Sequence, residues 1–201
     1  EVYASVFSQD PIEYRSEKGL LDFNEEMGIL IQEVVGNKLG KYFFPSFAGV
    51  AFSENNFMWS SRIEREDGFI RMVPGLGTRA VDRLSDDYPI MMSPGKPDLR
   101  VNISPDEIIK YSPKYFDVIN LDTNNFESVE SSKILNTLGP DIPLIKQVIA
   151  INSEGFIQTP LSLIDVDFNS DRIIINFEGI FLNTDFIKQV KETLDLLKLK
   201  I

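Results

Sequence analysis

The run Gly28-Ile29-Leu30-Ile31-Gln32-Glu33-Val34-Val35-Gly36 is short, aliphatic and bounded by glycines, which predicts a buried strand. Residues 47–53 (FAGVAFS) predict a second strand. The two could close a hairpin over Asn37-Lys38-Leu39-Gly40, with the apolar stretch 42–44 leaving the register open. Residues 69–73 (FIRMV) alternate and run into Pro74-Gly75-Leu76-Gly77, a strand followed by a glycine-rich turn. Another short strand is expected over 88–92. Ser104-Pro105-Asp106-Glu107 reads as an N-cap with proline at the first helical position, opening a helix to about Tyr111. Residues 116–121 and 125–129 predict a hairpin across Asp122-Thr123-Asn124.

From about Ser131 the texture turns helical. A short amphipathic helix over 131–138 stops at Gly139-Pro140, and 172–177 (RIIINF) predicts a strand. Phe186, Val190, Leu194 and Leu197 then recur at helical spacing behind a cap at Asn183 or Thr184. Tyr3 to Phe7 reads as the end of a helix. The fold class is α+β, with a mainly antiparallel sheet and a helix-richer C-terminal part. The chain reads as one partial domain over 1–201, with a point of subdivision near 130.

Composition narrows the chemistry more than the fold. The 201 residues carry 43% apolar and 25% charged side chains, as a chain with a packed core does. The net charge of −11 argues against a nucleic-acid backbone or an anionic membrane as partner. There is no cysteine and no histidine, which removes disulfides, thiolate and imidazole metal ligands, and any imidazole base. No apolar run reaches the roughly 20 residues that span a bilayer. No signal-peptide pattern opens the chain, so a cytoplasmic location is the expectation. The chain starts at Glu1-Val2-Tyr3 without an initiator Met and ends on Leu199-Lys200-Ile201, so both ends read as cut from something longer.

Each local motif also has an ordinary explanation. Gly75-Leu76-Gly77-Thr78-Arg79 is neither a P-loop nor GxGxxG, and alone it reads as a plain turn. Gln32-Glu33-Val34-Val35 could be a hinge whose backbone pairs with an adenine edge; alone it reads as core strand with Glu33 at the surface. Asp165 and Asp167 would share a strand face and could hold a divalent cation, but two solvated acids in a loop is the preferred reading. Residues 64–67 (ERED) read as a solvated turn, and Trp59 as a packing residue.

Three phrases taken in order do more than any one alone. They are GILIQEVV at 28–35, AGVAFSEN at 48–55 and VPGLGTRAV at 73–81. Their order and spacing resemble the ATP-grasp nucleotide-binding domain of phosphoenolpyruvate synthases and pyruvate phosphate dikinases. The clear likeness covers about 25–85, with an insertion-like segment at roughly 86–160. The resemblance implies a cofactor, ATP with Mg2+, and phosphoryl transfer toward a carrier histidine in a separate domain. It also implies two partners within the parent chain, that carrier domain and a pyruvate-binding domain. By resemblance, Glu33, Val34 and Val35 take the adenine-hinge position with Gln32 beside them, and Gly75, Gly77 and Thr78 take the position over the ribose.

The chain departs from the family at Thr78, where a glutamate is usual, and at Glu54, where an arginine is usual. The family's metal carboxylates and catalytic arginine sit in a phrase that does not occur here. Asp165 and Asp167 precede the last helix, whereas the family's pair follows it. No catalytic or metal-ligating residue is therefore expected in 1–201, and the isolated chain is expected to be catalytically silent. The alternative is a degenerate, non-catalytic module of the same fold, used for regulation or interaction.

Overall fold

A computed structural model describes residues 2–23, 26, 28–81, 87–170 and 172–198. Glu1 and residues 199–201, which enter the reading of the two chain ends, lie outside them. The chain divides into two units, Glu1–Val34 and Val35–Ile201.

In the first unit, α1 (Val2–Ser5) precedes α2 (Gln9–Glu17). Helix α2 stops because Gly19 takes φ +66°, letting its own amide reach Ser16 O (3.1 Å) and that of Leu20 reach Arg15 O (2.8 Å). That pair of reversed bonds satisfies carbonyls the helix end would leave open. The Arg15 guanidinium is tied to Val6 O at 2.9 Å. The expected strand over 28–36 does not form. The segment belongs to no strand, and Ile29, Leu30, Ile31, Val34 and Val35 are exposed. A β-branched run favours a strand only if a neighbour accepts its hydrogen bonds. The nearby strands pair with one another instead.

The second unit runs through β1 (Asn37–Leu39), β2 (Tyr42–Phe44), β3 (Phe47–Phe52), β4 (Phe69–Pro74), α3 (Thr78–Val81), β5 (Ile90–Met92), α4 (Pro105–Lys110), β6 (Tyr115–Asn120) and β7 (Asn125–Glu130). It continues with α5 (Ser131–Leu138), α6 (Ile145–Val148), β8 (Ile149–Ser153), β9 (Phe156–Gln158), β10 (Ile173–Ile175), α7 (Glu178–Asn183) and α8 (Phe186–Lys198). The strands form three antiparallel sheets, ordered β1-β2-β6-β7, β3-β4-β5 and β10-β8-β9. The α+β class therefore holds.

The expected hairpin of 28–36 with 47–53 is replaced. Gly40 at φ +56° folds β1 onto β2, and β3 pairs along its length with β4, from Phe47 opposite Pro74 to Phe52 opposite Phe69. The stretch 42–44 is thus a strand in its own right. The 125–130 hairpin forms as expected, with Asn124 left-handed at φ 53°. Ser104 and Glu107 make the full capping box that opens α4. Thr184 caps α8, its hydroxyl accepting from Phe186 N at 3.2 Å.

One apolar cluster in the second unit joins these sheets. Phe44, Phe116 and Val118 meet Ile70, Met72 and Met92, then Ile149, Ile175, Ile180 and the helical Ile134 and Ile145, all essentially fully buried. Phe44 and Phe116 pack edge to face at 5.8 Å. Phe186 and Val190 lay the amphipathic face of α8 on this cluster. Among the described residues no helix is long and apolar enough to cross a membrane.

Candidate functional site

Strand β4 ends at buried Pro74, and the chain must reverse at once into α3. Gly75 does this at φ +72°, in a place where a Cβ would lie 2.4 Å from Asp117 O. Only glycine meets both demands. The close approach has a purpose: Gly75 bridges Asp117 of β6, and the Leu76 amide donates to Asp117 O at 2.8 Å. The expected turn is thus welded to a strand of another sheet.

The side chain of Asp117 completes the weld. Strand alternation sends Phe116 and Val118 to the core and Asp117 to the opposite face, where it is nonetheless fully buried. Thr78 Oγ1 donates to its Oδ2 at 2.6 Å, while Arg79 Nε (2.8 Å) and Ser128 Oγ (2.6 Å) donate to its Oδ1. Arg79 also donates to Ser128 Oγ at 3.0 Å and to Asp87 Oδ2 at 3.1 Å, and its guanidinium lies over the Tyr115 ring at 4.8 Å. Asp87 in turn accepts from the Lys114 amide at 2.6 Å.

One cation so held by two carboxylates is a satisfied buried network, which a low-dielectric setting requires. Burial pushes the Asp87 carboxyl above the usual carboxylate range; the Lys114 amide and then Arg79 act the other way. Burial pulls the Lys114 ammonium below its ordinary value, with Asp87 opposing.

Gly75, Gly77 and Thr78 therefore lie together on one ordered turn. Gly75 is buried, Gly77 half-buried and Thr78 exposed. Gln32, Glu33 and Val34 belong to the end of the first unit and Val35 opens the second. All four are exposed and belong to no helix or strand. Asp165 and Asp167 sit in a loop, both exposed, flanking an open cleft with Arg172, in keeping with the solvated-acid reading. Among the described residues no three metal-ligating side chains cluster. Glu54 pairs with Arg65 on the surface. Residues 65–67 form a short 3-10 turn with a capping box, and the Trp59 indole donates to Leu99 O at 2.9 Å.

Sequence reading missed Asp117, Ser128 and Asp87. Asp117 did leave a signal: Tyr115 and Ile119, which share its strand face at i±2, are apolar, so that face was not marked as solvated. Ser128 and Asp87 left none: Ser128 reaches Asp117 only through the β6–β7 register, and Asp87 reaches Arg79 from a loop.

The 32–35 backbone has no sheet partner, so its N–H and C=O groups are open to a planar ligand edge. Val34 and Val35 present aliphatic surface to a ring. Thr78 faces solvent from a fixed turn. Each stretch, taken by itself, suits one part of a nucleoside. The phosphate end is not matched at this turn, since Arg79 is already paired.

The sequence profile of the family described as pyruvate phosphate dikinase, AMP/ATP-binding domain, matches residues 1–150. Comparison with curated proteins and with solved structures gave no match in either case.

Proposed function

The chain belongs to the pyruvate phosphate dikinase AMP/ATP-binding domain family, and from that premise we propose that it is the ATP-holding portion of a phosphotransferase of this kind. In this reading phosphoryl groups pass from ATP toward a carrier histidine in another domain, since this chain has no histidine. Mg2+ accompanies the phosphates and is held by residues outside this chain. The carrier and pyruvate-binding domains of the parent are the partners, and the cytoplasm is the setting. The backbone of Glu33, Val34 and Val35 takes the adenine edge, with Gln32 beside it. Gly75 and Gly77 bring the turn close to the ribose, and Thr78 meets the ribose hydroxyls.

One observation carries the Thr78 assignment. Its single hydroxyl proton is donated to Asp117 at 2.6 Å. What remains toward solvent is a pair of acceptor lone pairs, polarised by a buried carboxylate. An acceptor is the role that the family's usual glutamate fills for ribose. The network thus supports a threonine doing a carboxylate's task, more weakly because it is neutral.

Equilibrium binding of a fluorescent ATP analogue, displaced by ATP and by 2′- and 3′-deoxy-ATP, tests this. Saturable binding is expected, with at least one deoxy nucleotide weaker than ATP. The variant Thr78→Val should erase that difference. Equal affinities for all three nucleotides in the wild type would remove the ribose role.

A second reading, a non-catalytic module on the same fold, draws support from Arg79, whose charge is fully engaged by Asp117 and Asp87. The complete parent protein separates the two: labelling of its own carrier histidine by radiolabelled ATP favours the enzyme, and nucleotide binding without labelling favours the module. The 201-residue chain by itself is expected to turn over no ATP. Measurable turnover contradicts that.

A further inference from the structure

A cavity of about 160 Å3 lies in the second unit between β5, residues 100–103, α4 and the start of α7, and it shares no residue with the nucleotide reading. Ile90, Ile108 and Tyr111 supply apolar wall, and Arg100, Asn176 and Glu178 supply the polar groups. Arg100 is the unusual member. Its Nε is buried without a hydrogen-bond partner, and among the described residues no ion pair holds its guanidinium. Its one specific contact is the Phe181 ring, 4.8 Å away. Arg100 is half-buried and its Nε, shut off from water, has no acceptor, which is costly because desolvation is not offset by pairing. Burial draws its pKa down, and the nearby Glu178 charge works against that.

Glu178 is close enough to act on Arg100 but is not in ion-pair contact with it. Its position is fixed from the other side: buried Asn176 donates Nδ2 to Glu178 Oε2 at 3.3 Å. A cation and an anion thus face the same small space without meeting. A simple anion would satisfy Arg100 and be repelled by Glu178. A molecule carrying both charges on groups attached to one carbon satisfies both.

We propose that this cavity binds a small zwitterion, an α-amino acid with an aliphatic side chain, its carboxylate on Arg100, its ammonium on Glu178 and its side chain against Ile90 and Ile108. The size agrees: a cavity of roughly 150 Å3 takes a benzene-sized body, on the scale of a valine or leucine side chain. The planar fork of Arg100 suits a carboxylate's two oxygens.

Isothermal titration calorimetry on the chain with L-leucine and L-valine is the test, set beside 4-methylpentanoate and 3-methylbutylamine, which each lack one charge. Saturable amino-acid binding is expected, with each single-charge analogue weaker by about tenfold, the worth of one charge-assisted pair. Arg100→Met should abolish amino-acid binding, and Glu178→Gln should weaken leucine while sparing 4-methylpentanoate. Ile108→Trp fills the cavity without touching either charge and should also abolish binding, so the proposal remains testable if Arg100→Met does not fold. Absence of saturable leucine binding overturns the proposal. So does wild-type affinity in Ile108→Trp, or 4-methylpentanoate binding as tightly as leucine.

Discussion

The turn at Gly75 to Arg79 and the segment at Gly28 to Gly36 carry two phrases of the same family signature, and the fold treats them in opposite ways. The turn is fastened by three hydrogen bonds to Asp117, which is wholly buried. The segment has no strand neighbour, and Leu30, Ile31 and Val35 are more than four-fifths exposed. The turn is therefore fixed by the chain itself. The segment offers backbone with no strand partner and exposed aliphatic surface. Mutations in the turn should act on stability first, and mutations in the segment on binding alone.

The largest effect should come from Asp117→Ala. It leaves Arg79 short of a partner in a buried setting and frees Thr78 and Ser128, at a cost of about 3–5 kcal/mol. Urea denaturation reads this directly, and a loss below about 1 kcal/mol would mean that the network does not hold the turn.

Gly75→Ala should come next, at about 2–3 kcal/mol, from left-handed φ and the collision with Asp117 O. The same unfolding curves measure it. Thr78→Val should cost about 1 kcal/mol, the value of one hydrogen bond whose acceptor keeps other donors.

Val34→Pro and Val35→Pro, each removing one open amide, should shift stability by under about 0.5 kcal/mol, since no native hydrogen bond is lost. A large loss in either would show that the segment is more tightly held than its exposure implies.

The smallest effect concerns pH. Because the folded Asp87 holds its proton more tightly than the unfolded one, the folded state binds more protons from about pH 4 up to the raised value. Stability contributed by protonated Asp87 is present below that interval and is lost as pH rises through it. The stability difference between wild type and Asp87→Asn, from urea midpoints taken stepwise through the acidic range, should shrink in the wild type's disfavour as pH rises. A difference that grows in the wild type's favour would reverse the assigned direction.

What could be read in the sequence follows the same divide. Local chemistry was legible: the N-cap at Ser104 with Pro105 behind it, the hairpin at Asn124, the strand into the Gly75 turn and the spacing of Phe186, Val190 and Leu194 all stand as expected. Each is decided within a few residues. The 28–36 strand failed because the aliphatic pattern reports propensity, while a strand also needs a partner, and β1 and β2 found each other. The family was legible in three ordered phrases. The anchoring of Thr78 was not, because Asp117 lies 39 residues away and only sheet register brings it under the turn.

The most direct test of the nucleotide site is the affinity of the fluorescent ATP analogue for wild type and for Val34→Pro and Val35→Pro, with urea midpoints measured on the same samples. The account predicts saturable wild-type binding that is lost in at least one proline variant while the unfolding midpoint stays unchanged. Unaltered affinity in both variants, or no saturable binding by the wild type, would contradict it.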